Sequence, residues 1–182
     1  MQLRRCWPRR QFDVNLFGVA ALTQAVLPGM RAQGSGRIIN TSSMGGRFTT
    51  YFGAWYHATK YALEAFSDAL RMEVAPFGIQ VSIIEPGGIK TNWGKIAADH
   101  LTASSAEGAY AAEAQRAADL LASSYSSRWL SQPEVIARAI TKAATVRKPK
   151  TRYLVGFGAK PLVFLHAVLP TRVFDWVATQ YL

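Results

Sequence analysis

An α/β fold, half of a doubly wound parallel sheet with flanking helices, is what the sequence predicts, and two observations predict it. Segments of helical and strand-like periodicity alternate from residue 11 to residue 84. The connections between the strand-like runs are long enough for right-handed parallel crossovers.

Taken in order, residues 11–32 carry Val14, Phe17, Ala21, Leu22, Ala25 and Val26 at spacings of three and four, which is a helical face. Pro28-Gly29 signals its end. After the Gly34-Ser35-Gly36 turn, residues 37–41 read as a short buried strand, and residues 42–53 form a glycine-punctuated loop. Residues 55–75 make a second long helix, with Ala58, Tyr61, Ala62, Ala65, Phe66, Ala69 and Met72 on one broad face, stopped by Pro76-Phe77-Gly78. Residues 79–84 are a further buried strand, closed by Pro86-Gly87-Gly88. Beyond Thr91 the predicted elements are a helix around residues 106–121, an amphipathic helix over 133–144 capped by Ser131, a strand at 152–155 and an apolar tail from 160 to 182. Three segments result: a disordered or misassigned leader (1–10), a unit holding the chemistry (11–95), and the later helices with the last strand and tail (96–182).

Composition sets bounds on function. The 182 residues are 49% apolar and 18% charged, enough for a core and incompatible with disorder throughout. The longest strongly apolar stretch, residues 161–170, is about half a bilayer span, so no crossing helix is expected. The single cysteine, Cys6, excludes an internal disulfide, no Cys/His spacing resembles a zinc site, and a reducing, cytoplasmic setting is expected. The net charge of +10 gathers at Arg4, Arg5, Arg9 and Arg10 and between Lys142 and Lys160. No aromatics interleave with these runs, so a solvated surface is expected rather than a nucleic-acid site. A peripheral membrane contact by the tail and its basic neighbours is the lesser expectation, behind core or oligomer surface.

The chemistry concentrates at Tyr56 and Lys60. At i and i+4 near a helix start they share a face. An ammonium at about 4 Å in an effective dielectric of about 20 interacts by roughly 4 kcal/mol, enough to bring a phenol of pKa about 10 into working range. Ser43 lies in the loop leaving a buried parallel strand, where open α/β sheets build their sites, and its hydroxyl can bond a substrate oxygen beside the tyrosine. Asn15 is an amide in an otherwise apolar helix face and needs a partner. His57 is expected at the surface, Glu85 as a strand-end charge ahead of a side chain lining the site, and His100 and His166 without ligand partners.

Val14-Asn15-Leu16-Phe17-Gly18, Ile39-Asn40-Thr41-Ser42-Ser43, Tyr56-His57-Ala58-Thr59-Lys60 and Pro86-Gly87-Gly88-Ile89-Lys90-Thr91 stand in an order that resembles the short-chain dehydrogenase/reductase family. The resemblance runs from Phe12 to about Trp93. It implies the C-terminal half of a Rossmann-type sheet and a catalytic tetrad. Tyr56 would be proton donor or acceptor, and Lys60 would lower its pKa and hold the nicotinamide ribose. Ser43 would steady the reacting oxygen, and Asn15 would position a water. Pro86, Gly87, Ile89 and Thr91 would contact the nicotinamide end of NAD or NADP. It further implies a small, lipophilic alcohol or carbonyl substrate and a homo-oligomer formed through the helices at 11–32 and 55–75.

The family's opening strand, glycine-rich turn and helix, which cradle the pyrophosphate, have no counterpart here. Gly29, Gly34 and Gly36 precede a strand, and Gly156 and Gly158 are followed by Pro161. The element that selects NAD or NADP is missing with them. The sequence therefore reads as an N-terminally truncated member. The reading beside the oxidoreductase is a weak or inactive remnant that survives as an oligomerisation or interaction piece.

Overall fold

The computed structural model describes residues 6–181. Three strands, β1 (Gly36–Thr41), β2 (Ile79–Pro86) and β3 (Arg152–Val155), form one parallel sheet in the order β1-β2-β3. Gly36 to Thr41 run in register beside Ile79 to Ile84, and Ile83 to Pro86 beside Arg152 to Val155. The helices are α1 (Cys6–Phe12), α2 (Gly18–Ala32), α3 (Ala54–Val74), α4 (Trp93–Ser105), α5 (Ala111–Tyr125), α6 (Glu134–Thr145), α7 (Ala159–Val168) and α8 (Thr171–Tyr181).

Period-two alternation along β1 and β2 sends side chains to two layers. On one face Leu27, Ile38, Leu70, Val74, Ile79 and Val81 pack against α2 and α3. On the other, Ile84 and Tyr153 pack with Ala139 and Ala143 of α6. A third cluster joins Phe48, in the loop after β1, to Phe174 and Ala178 of α8. Part of the apolar tail is therefore core, while Phe164 and Trp176 are 65% and 60% exposed. No helix among the described residues is long and apolar enough to cross a membrane.

Several expectations change. Residues 1–5 of the leader lie outside the described residues, and the break expected at residue 10 is replaced by α1. The first long helix carries a π-helical turn, Asp13–Phe17, between α1 and α2. The apolar face expected over residues 11–32 is turned to solvent: Val14, Phe17, Leu22 and Val26 are exposed, and α2 buries Thr23 and Leu27. Pro28 lies inside α2 and does not end it. The helical region after Thr91 is two helices, parted where Gly108 takes φ 115°. Ser131 does not cap α6: Pro133 stands at that position, and Ser131 pairs through its backbone with Ile89 and Lys90. Gly78 turns the chain from α3 into β2 at φ +71°, where a side chain would strike the carbonyl of Gly34.

Glu85 is no strand-end charge. It is 1% exposed and pairs with Arg47 at 3.1 Å and with Arg152 at 3.2 Å. Arg152 also reaches Glu64 at 3.1 Å and Asp68 at 2.6 Å. This cluster ties α3, β2, β3 and the loop after β1 together beneath the carboxyl ends of the strands.

Candidate active site

Residues 42–53 leave the carboxyl end of β1, pass through a short 3-10 turn at Met44–Gly46, and enter α3. This brings Ser43 beside Tyr56, close enough that its hydroxyl draws the Tyr56 pKa down. The Gly45 amide donates to Ser43 Oγ at 3.0 Å. A serine hydroxyl has one proton, and with the Gly45 amide occupying a lone pair that proton is directed to Tyr56 or to a substrate oxygen.

Lys60 Nζ lies 5.9 Å from the Tyr56 ring centroid and donates to the carbonyl of Thr41, at the end of β1, at 3.2 Å. Burial pushes the Tyr56 hydroxyl above its ordinary value of 10.0, and the neighbouring Ser43 hydroxyl pulls it partly back. The lowering expected from Lys60 is not seen in this arrangement: burial dominates the Tyr56 hydroxyl, and Ser43 is the group that opposes it. Burial lowers the Lys60 pKa, and the carboxylate of Glu64, one turn on, opposes that.

Asn15 sits in the π-helical turn, half-buried, and its amide donates to Thr59 Oγ1 at 3.0 Å. Thr59 donates in turn to the Tyr56 carbonyl at 2.8 Å. Asn15 is thus fastened to the turn of α3 that holds both Tyr56 and Lys60.

The segment from Pro86 to Thr91 folds back against the end of β3. The amides of Gly87, Gly88 and Lys90 donate to Val155, Phe157 and Ser131 at 2.8, 2.8 and 2.9 Å. A Cβ on Gly87 would meet the Cβ of Ala159 at 2.8 Å, so glycine is required there. Ile89 is buried and Thr91 exposed, its Oγ1 accepting from the Trp93 amide at 3.4 Å. Gly156-Phe157-Gly158 does join β3 to α7, but Phe157 spends its amide and carbonyl on Gly88. That turn supports the Pro86–Thr91 segment.

Sequence reasoning missed Trp93, Tyr125 and His57. Trp93, at the start of α4, packs 5.3 Å from the Tyr56 ring, and Tyr125 of α5 packs 5.4 Å from Trp93. Burial pushes the Tyr125 hydroxyl up to about 12. The position of Trp93, directly after the Pro86–Thr91 motif, was the available signal. His57, expected at the surface, is 5% exposed. Thr49, Thr50, Ala54, His57, Ala58 and Tyr61 line a hollow of about 440 Å³ behind the loop. No group of three or more His, Cys, Asp or Glu side chains that could hold a metal occurs among the described residues.

The short chain dehydrogenase family profile matches residues 4–101, over half of the chain. The chain belongs to this family. A probable short-chain type dehydrogenase/reductase of Helicobacter pylori, VdlC, is 37% identical over 167 residues, covering 92% of this chain and 60% of that protein. Retinol dehydrogenase 5 of Mus musculus is 36% identical over 183 residues, covering 96% of this chain and 57% of that protein. A crystal structure of a short-chain dehydrogenase from Streptomyces avermitilis superposes with a TM-score of 0.69 at 34% identity, covering 88% of this chain and 56% of the other. The family member described here therefore spans about 60% of the length of the curated relatives it matches.

Proposed function

We propose that this chain carries the proton-transfer and nicotinamide-facing part of an oxidoreductase that interconverts a secondary alcohol and its carbonyl form. The observation that carries the reading is the placement of Ser43 beside Tyr56 past the carboxyl end of β1, with Lys60 one helical turn further. In the reductive direction Ser43 and Tyr56 hold the substrate oxygen. Tyr56 Oη gives it a proton as the neighbouring carbon is reduced; oxidation runs the same path in reverse.

The residues present fit the nicotinamide end of NAD or NADP. Lys60 holds its ammonium beside the exposed Thr41, able to donate to ribose hydroxyls. Pro86, Ile89 and Thr91 are assigned to the same end. Bound there, the dinucleotide would donate or accept hydride, and the protein would orient it and supply the proton. Occupation of that place by a ribose would draw Lys60 from Thr41 towards the phenol. Its charge would then offset the burial that raises Tyr56.

A small lipophilic substrate is supported by the aromatic wall of Trp93 and Tyr125 beside Tyr56 and by the likeness to a retinol dehydrogenase. Self-association is part of the reading, supported by the exposed Val14, Phe17, Leu22 and Val26 on the first helical segment and Met72 on α3. The second reading, an interaction piece without turnover, draws on the same exposed face.

Turnover of retinol and of long-chain secondary alcohols with each nucleotide tests the assignment. Tyr56→Phe is expected to reduce kcat by about 10²–10⁴-fold. Near-normal turnover by that variant refutes the role of Tyr56. No turnover by the parent with either nucleotide favours the interaction piece.

A further inference from the structure

His57 lies next to Tyr56 in sequence and on a different side of α3, so the proposed proton transfer does not use it. Its surroundings are nonetheless fully built. Nδ1 lies 2.7 Å from the carbonyl of Gly45, and Nε2 accepts from the Thr50 amide at 3.0 Å, with Thr50 Oγ1 also at 3.0 Å. A backbone amide can only donate. Nε2 therefore carries the lone pair, and Nδ1 carries the proton and gives it to Gly45. The ring is neutral and in one tautomer. Burial lowers its pKa from 6.5 in accord with this, and a proton on Nε2 would face the Thr50 amide head-on.

The loop is shaped around this ring. A Cβ on Gly45 would sit 2.9 Å from both Cε1 and Nδ1 of His57, and one on Gly53 would collide with the ring at Nε2. Glycine thus stands at two places where the loop touches the imidazole. The ring also stands edge-on to Tyr56, with centroids 5.5 Å apart and planes at 71°. Gly45, held through its carbonyl by His57, donates its own amide to Ser43 Oγ at 3.0 Å.

We propose that His57 is a positioning residue for Ser43: the imidazole fixes Gly45, and Gly45 fixes the serine hydroxyl that faces Tyr56. The neutral Nδ1–H tautomer is the working form, since it alone serves Gly45 and Thr50 together. A serine held this way presents its proton in one direction. Released, it samples its other rotamers and meets a substrate oxygen only part of the time. This inference rests on the reading of Ser43 and Tyr56 given above, but its test does not depend on turnover.

Nuclear magnetic resonance of the chain, with ¹⁵N-labelled histidine and β-carbon-labelled serine, reads each link. The parent is expected to show His57 with a proton on Nδ1 and none on Nε2. It should also show a single Ser43 χ1 rotamer and a slowly exchanging Gly45 amide. His57→Leu should average the Ser43 rotamers and speed Gly45 amide exchange by about tenfold or more. His57→Asn, whose amide nitrogen can replace Nδ1 as donor to Gly45, should restore both. His57→Gln, whose amide reaches instead towards the place of Nε2 and Thr50, should leave Ser43 averaged. A single Ser43 rotamer in a folded His57→Leu variant overturns the proposal, as does a parent ring protonated at Nε2. If His57→Leu does not fold, the Asn and Gln pair decides: the same Ser43 behaviour in both overturns it. Loss of turnover in Tyr56→Phe speaks to the catalytic reading alone, so the two can fail separately.

Discussion

Arg152→Met is the most searching test of how this site is held together. The guanidinium, with a side chain 27% exposed, contacts the nearly buried Glu64 and Glu85 at 3.1 and 3.2 Å. At an effective dielectric of about 20, each contact corresponds to about 5 kcal/mol of attraction, against which desolvation of the ions must be set. Removing the cation alone leaves buried carboxylates without their shared partner, which costs about 3–5 kcal/mol. For a chain of this length, that is a fall of roughly 10 °C in Tm. Urea denaturation at pH 7 measures it. The pH dependence has a definite sign. Burial and the nearby Glu85 already hold Glu64 above its ordinary 4.5, and loss of Arg152 raises it further. Between the unfolded and folded values the native state binds the extra proton, so the variant's stability falls as pH rises through that window. The deficit against the parent should therefore shrink on acidification from pH 7 to about pH 5. A variant within about 1 kcal/mol of the parent at pH 7 refutes the assignment of these contacts as structural.

Thr59→Val, at a fully buried position, removes the acceptor for Asn15 and the donor to Tyr56, and should cost about 1–2 kcal/mol by urea titration, with faster exchange of the Asn15 side-chain amide. Gly78→Ala should cost about 2 kcal/mol or more, since it combines a left-handed backbone with a clash against Gly34; an unchanged melt would mean that the turn relaxes freely. Sedimentation at micromolar concentration should show a dimer that Leu22→Glu and Val26→Glu dissociate, and a monomeric parent would remove the exposed face as its basis.

The sheet, α3 and the Ser43–Tyr56–Lys60 grouping were legible in the sequence because each rests on short-range signals. Proline and glycine mark the ends of the elements, and an i, i+4 spacing fixes a shared helix face. What escaped depends on partners distant in the chain. Nothing local marks Glu85 as buried, because its cations are Arg47 and Arg152. His57 reads as a surface residue until the loop folds back to place Gly45 and Thr50 on either side of its ring. The π-helical turn escaped for a related reason. A single extra residue leaves the composition unchanged and carries no local mark in the sequence. Trp93 was named in neither core nor site because its contact, Tyr56, belongs to a different helix.

The cluster around Arg152 also bears on the order of events in folding. Its bonds to Glu64 and Asp68 close loops of 88 and 84 residues. Contacts that close such long loops recover their entropy only after the intervening segments are in place. The ionic cluster therefore forms late, behind the rate-limiting barrier, and contributes to the barrier against unfolding more than to the speed of assembly. A single guanidinium at the edge of the sheet thus reaches α3 and β2 across more than 60 residues of chain.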